Sequence, residues 1–122
     1  METQTSSGKH MICDFQNVHN LSLLNDPRGL FAILNVICEK YNYNVLEKTS
    51  HQFSPHGVTI LYLLAESHIS IHTFPEKKYM AFDIYTCRPY INDSQYEWIY
   101  NYLSGVLACG SPNKVILNRS FC

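Results

Sequence analysis

Leu64-Ala65-Glu66-Ser67-His68-Ile69-Ser70-Ile71-His72-Thr73-Phe74-Pro75-Glu76 carries both the architecture and the chemistry of this chain. Ile69, Ile71 and Thr73 alternate with His68, Ser70 and His72, the two-residue period of a strand with one apolar and one polar face. The same period returns downstream, where Met80, Phe82 and Ile84 alternate with Ala81, Asp83, Tyr85 and Cys87. Upstream, Val58 to Ala65 is almost continuously apolar, as in a strand covered on both faces. Farther out, His10 to Phe15 reads as a first strand and Lys114 to Leu117 as a last one.

Two helices flank this β region. Asn25-Asp26-Pro27 supplies a cap followed by a proline in the first turn. Leu30, Ile33, Leu34, Ile37, Cys38 and Tyr41 then recur at spacings of three and four, one apolar helix face. A second helix is predicted over Ser94 to Cys109, with Asn92 and Gln95 as a capping box and Gly110 as its stop. Its apolar stripe is Tyr96, Ile99, Leu103, Val106 and Leu107. The fold expected is an α+β two-layer sandwich, an antiparallel sheet with two helices packed on one face. The other face would carry His68, His72, Asp83, Tyr85 and Cys87, so it is expected to lie against a substrate, a second protomer or both.

The 122 residues fit a single domain, 1–122, with one core. Apolar residues make up 46% and charged residues 16%, a globular balance that excludes intrinsic disorder. A net charge of −1 gives no reason to expect nucleic acid or an anionic membrane as partner. No apolar run is long enough to span a bilayer. Met1 to Lys9 is polar and lacks the apolar centre of a secretory signal, which predicts a frayed arm. Cys13, Cys38, Cys87, Cys109 and Cys122 are odd in number and lack Cys-x-x-Cys spacing, which predicts reduced thiols in a cytoplasmic protein, most of them packed in the core.

Three chemistries compete for Ser67 and its histidines. A serine hydrolase finds no support, because no Gly-x-Ser-x-Gly elbow surrounds Ser67. A metal site would use His68 and His72, which share a strand face, supplemented by His51, His56 and Cys87; the signal is weak and no metal is predicted. The third is self-cleavage, in which a hydroxyl attacks the carbonyl of the preceding residue, here Glu66. The resulting ester can eliminate to dehydroalanine, which hydrolyses to a pyruvoyl group. That route needs a donor to the oxyanion and a base for the Cα proton.

Ala65-Glu66-Ser67-His68-Ile69-Ser70-Ile71-His72-Thr73-Phe74-Pro75-Glu76 resembles the signature of the prokaryotic-type S-adenosylmethionine decarboxylases, which are pyruvoyl-dependent proenzymes. Lys9 to Asp14, His51 to Thr59 and Ala81 to Cys87 resemble the flanking segments, so the resemblance runs over roughly residues 9 to 118. It implies self-cleavage into a β chain, 1–66, and an α chain, 67–122, that begins with a pyruvoyl group made from Ser67. It implies a Schiff base between that group and the amine of S-adenosylmethionine, and a decarboxylated product for spermidine synthesis in polyamine biosynthesis.

The resemblance also implies roles. Glu66 and Ser67 flank the scissile bond, with Thr59 and His72 assisting processing. His72 takes the Cα proton, and Cys87 protonates the product carbon. Phe53 stacks on adenine, Phe74 stands where tryptophan is common, and Glu76 holds the ribose hydroxyls. A homodimer of cleaved protomers is expected. Taken singly, Cys87, Phe53 and Phe74 read as packing residues, Glu76 as a solvated turn and His72 as a structural histidine; their joint spacing favours catalysis. His68 has no assigned role and reads as structure. Two alternatives stand beside this: the same chemistry on arginine or ornithine, and a non-catalytic regulatory relative of the same fold.

Overall fold

The computed structural model describes residues 8–90 and 92–119. The expected N-terminal arm therefore falls outside it over residues 1–7, as does Cys122. The chain runs β1 (Gly8–Val18), a 3-10 turn (Leu23–Asn25), α1 (Pro27–Lys40), β2 (Val45–Gln52), β3 (Val58–Leu64) and β4 (Ser67–Phe74). A second 3-10 turn (Pro75–Lys77), β5 (Tyr79–Thr86), α2 (Ser94–Val106) and β6 (Cys109–Arg119) follow. The strands form one sheet in the order β2-β3-β4-β5-β1-β6, antiparallel at every pair.

α1 begins where the sequence places it, with Asp26 as cap residue and Pro27 in the first turn. Leu30, Ile33, Leu34, Ile37 and Cys38 are its buried face. α2 begins at Ser94 as expected, but its cap and its C-terminal end differ from expectation. Asp93 is its cap residue, so Gln95 falls too early in the first turn to complete a capping box. Asn92 Oδ1 instead accepts a hydrogen bond from the Ser94 N–H at 2.9 Å. The helix ends at Val106, and Ala108, in the left-handed region at φ 48°, turns the chain; Gly110 already lies in β6.

β2 was not legible in the sequence. Its residues after Val45 are all exposed, so no apolar alternation marks it. It is an edge strand, and a register shift between Val45 and Glu47 interrupts its pairing with β3.

The inward side chains of the sheet and the buried faces of both helices make one core, with Tyr62, Tyr96, Phe15 and Phe82 its largest fully buried members. Both helices cover the same face of the sheet, as expected. The other face is open, and the strand register arranges it in rungs. Leu117, His10, Tyr85, His68 and Leu63 pair in succession across β6, β1, β5, β4 and β3. The next rung is Val115, Ile12, Asp83, Ser70 and Leu61, and the third is Asn113, Asp14, Ala81, His72 and Thr59. The flanks of this face are apolar and its centre polar. Leu61, Leu63, Val115 and Leu117 stand 44%, 50%, 51% and 45% exposed. β3 is therefore covered on one face only within a single chain, despite its continuous apolar run. Among the described residues, no helix is long and apolar enough to cross a membrane.

Candidate active site

The chemistry-bearing residues gather at the two ends of β4. At its start, Leu64 pairs with Ser67, so Ala65 and Glu66 form a two-residue turn between β3 and β4. Ser67 has φ 153°, in the region that favours glycine, which costs a serine about 1–3 kcal/mol. The carbonyl just before it does not float free. Cys87, the residue after β5, donates its backbone N–H to Glu66 O at 3.0 Å. The Cys87 thiol is exposed and lies 3.7 Å from the Tyr85 hydroxyl. The Glu66 carboxylate accepts from the Asn44 backbone N–H at 3.1 Å, from Asn44 Nδ2 at 2.9 Å and from Arg88 Nη2 at 2.9 Å. Burial pushes this carboxyl up, but the hydrogen bonds from Arg88 and Asn44 outweigh it and hold it below its ordinary value.

At the far end, Thr59 and His72 are cross-strand partners, and Thr59 Oγ1 lies 3.0 Å from His72 Nδ1. With the Nδ1 proton on that bond, Nε2 keeps the lone pair a base requires. A cavity of about 340 Å³ opens here, lined by Phe53, His56, Thr59, His72, Phe74 and Glu76. Phe53 and Phe74 are 49% and 38% exposed, too open for core aromatics. Gly57 shapes the cavity wall: at φ 108°, with Thr73 O only 3.2 Å from where a Cβ would sit, it admits no larger residue without strain. His56 Nε2 lies 3.1 Å from Glu76 Oε1.

These two groups do not meet within one chain. Ser67 and His72 are five residues apart on one strand, about 16 Å at about 3.3 Å per residue. Thr59, His72, Phe53, Phe74 and Glu76 come together at one end; Glu66, Ser67 and Cys87 come together at the other. Between them, at the middle of the open face, Asp83 Oδ2 accepts from His10 Nε2 at 2.7 Å and from His68 Nε2 at 2.9 Å, while Ser70 bonds Oδ1. Burial raises the Asp83 carboxyl, but the bonds from Ser70, His10 and His68 prevail and depress it. The set weighed for a metal from sequence is thus not assembled: His68 turns to Asp83 and His72 to Thr59. The ligand atoms of His10, His68 and Asp83 do lie within 4.8 Å of one another.

A profile of the family described as S-adenosylmethionine decarboxylase matches residues 9–119. This chain belongs to the S-adenosylmethionine decarboxylase family. It is 48% identical over 80 residues to S-adenosylmethionine decarboxylase proenzyme 2 of a Bacillus cereus strain, a match covering 66% of this chain and 64% of that protein. It is 44% identical over 80 residues to the proenzyme of Brevibacillus brevis, covering 66% of this chain and 59% of that one. The chain thus spans less than two thirds of the length of these curated relatives in the matched region. The crystal structure of the Aquifex aeolicus adenosylmethionine decarboxylase superposes with a TM-score of 0.84 at 28% identity, covering 98% of this chain and 95% of that one.

The residues to which the resemblance gives roles stand at one end of β4 or the other, and His68 stands between them on Asp83. Sequence reasoning missed the Cys87 backbone N–H, Asn44, Arg88 and the pairing of His56 with Glu76. Only His56 carried a signal, as one histidine of a cluster around the signature. The others act through partners at least 21 positions away in the chain, which no local pattern reveals.

Proposed function

We propose that this chain is a proenzyme that cleaves itself between Glu66 and Ser67 and then decarboxylates S-adenosylmethionine. The observation that carries this reading is the hydrogen bond from the Cys87 N–H to the Glu66 carbonyl, directly before a hydroxyl-bearing residue in a strained conformation. Ser67 Oγ attacks the Glu66 carbonyl carbon, and negative charge grows on the oxygen where the donor already sits. The Glu66 C–Ser67 N bond breaks, the hydroxyl proton passes to the released amine, and an ester joins Glu66 to Ser67 Oγ. A base then removes the Ser67 Cα proton and the Cβ–Oγ bond breaks, so Oγ leaves in the new Glu66 carboxylate. The dehydroalanine that remains takes up water and loses ammonia, leaving a pyruvoyl group at position 67.

The residues around position 67 fit such a group: the hydroxyl that makes it follows a carbonyl polarised by the Cys87 N–H, so Cys87 is the neighbour of that position across the turn. A pyruvoyl group supplies an electrophilic carbonyl that engages the substrate amine and takes up the electrons freed when CO₂ leaves. Cys87 returns a proton to the substrate carbon. Phe53 and Phe74, exposed and flanking one cavity, offer aromatic faces to adenine. Glu76 offers its carboxylate to the ribose hydroxyls. Glu76 Oε1 also lies 3.1 Å from His56 Nε2, so the carboxylate is held at the cavity rim by a neighbouring side chain. The product would serve spermidine synthesis, and the free, buried thiols of Cys13 and Cys38 suit a cytoplasmic setting.

The base is His72 of the partner subunit in a homodimer. A two-fold axis lying between two sheets, across the strands at the level of Ser70, would bring two open faces together. It would set the Ser67 end of each β4 opposite the His72 end of its partner, at the ~10 Å spacing of packed sheets. Four lines support this: the ~16 Å separation within one chain, the exposed leucines and valine on the open face, the continuous apolar run of β3, and a cavity at the small end of ligand pockets, which run from about 300 Å³ upward.

Intact-mass measurement of the purified chain after incubation tests the reading. Two fragments split before Ser67, the α chain lacking its amine, are expected, with CO₂ released from S-adenosylmethionine and not from arginine or ornithine. A chain that stays whole at 14.1 kDa points to the non-catalytic alternative.

A further inference from the structure

We propose that Arg88 is a positioning residue for self-cleavage, fastening the Glu66 side chain so that the scissile carbonyl stays against the Cys87 N–H. This rests on the self-processing reading above. Glu66 is the second residue of a tight turn, a place where a carboxylate ordinarily swings in solvent. Here its side chain is only 14% exposed and takes three hydrogen bonds. The Arg88 guanidinium that supplies one of them is itself anchored. It donates to Asn42 O at 2.7 Å and to Tyr41 O, the carbonyls just past α1, and lies 4.7 Å from the centre of the Tyr43 ring.

Successive residues therefore grip both ends of Glu66. The Cys87 N–H holds the carbonyl oxygen, and Arg88 holds the carboxylate. With both ends fixed, the peptide plane before Ser67 does not rotate, and the carbonyl carbon keeps its orientation toward the attacking hydroxyl. Such alignment is worth a large factor in rate, since a displacement of about 1 Å can cost about 100-fold. The guanidinium also offsets the Glu66 charge, which otherwise repels the oxyanion forming on the same residue. A lysine cannot reproduce this, because one point charge does not reach three acceptors while stacking on a ring.

The step that Arg88 serves is the first one, the shift of the Glu66 acyl group from Ser67 N to Ser67 Oγ. Hydroxylamine separates this from the second step, because it splits an ester already formed but not the starting amide. Wild type, Arg88→Ala and Arg88→Lys are followed by intact mass over time, with and without hydroxylamine. Cleavage of Arg88→Ala is expected to slow by about 10- to 100-fold, without rescue by hydroxylamine, and Arg88→Lys is expected to slow as well. Arg88→Ala cleaving at the wild-type rate, or slowed but rescued by hydroxylamine, overturns the proposal. If Arg88→Ala does not fold, Arg88→Lys decides, and wild-type cleavage by that variant overturns it. A wild-type chain that never cleaves overturns the self-processing reading itself, and this proposal with it.

Discussion

Thr59 Oγ1 lies 3.0 Å from His72 Nδ1, and this pair sits at the end of β4 opposite Ser67. The hydroxyl fixes one ring nitrogen of the histidine proposed as base, so its loss should be felt in the elimination step and not in folding. Thr59→Val is expected to slow pyruvoyl formation by about 10-fold or more and to accumulate uncleaved chain that hydroxylamine splits. Thr59→Ser restores the rate. Cleavage of Thr59→Val at the wild-type rate would remove Thr59 from processing.

Cys87 is assigned two separate duties, one through its backbone and one through its thiol. The backbone N–H that holds Glu66 O survives any side-chain change. Cys87→Ser is therefore expected to cleave on the wild-type time course while turnover falls by about 100-fold or more. Normal turnover of the serine variant means the proton comes from elsewhere.

The open sheet face offers a surface test. Leu61 and Leu63 are roughly half exposed, so changing them leaves the core of a single chain intact. Leu61→Asp with Leu63→Asp should sediment as a folded monomer and remain uncleaved. A folded monomer that cleaves normally shows that one chain suffices, and a dimer that persists shows that another surface joins the protomers.

Stability should fall at both ends of the pH range. Glu66 and Asp83 are held below their ordinary values of 4.5 and 3.8, so their contribution is present above those values and is lost as pH drops through the lower folded ones. On the alkaline side, burial pushes Cys13 up to about 12 and Cys38 to about 11 from an ordinary 9.0. Unfolding releases those protons above pH 9, so stability declines from there by about 1.4 kcal/mol per pH unit for each thiol. Denaturant midpoints measured from about pH 3 to about pH 11 check both limbs. Changing Cys13 and Cys38 to alanine should flatten the alkaline limb, apart from the share that the raised phenols of Tyr43, Tyr62 and Tyr96 contribute.

Much of this was legible in the chain because its signals are periodic. The alternation through Ile69, Ile71 and Thr73 and the helical spacing of Leu30, Ile33, Leu34 and Ile37 follow directly from which faces are buried. β2 was silent because an edge strand exposed on both sides needs no apolar period. The end of α2 was misplaced because the left-handed turn fell on Ala108, a residue with no propensity for it, and not on Gly110. Distance is what a list of residues does not convey. Ser67 and His72 look adjacent in a list of residues, but on a strand five positions are a long way, and Arg88 acts through partners 22 and 46 positions away.

The shared site is the claim on which most of the account turns, and co-production of Ser67→Ala with His72→Ala chains tests it most directly. Each variant alone should stay whole, the first for lack of a nucleophile and the second for lack of a base. In a mixed dimer the Ser67→Ala chain lends its His72 to the intact Ser67 of the other. The account predicts that intact-mass analysis of the mixture finds the His72→Ala chain cleaved before Ser67 and the Ser67→Ala chain whole. A mixture in which neither chain is cleaved, alongside a wild type that is, would contradict it.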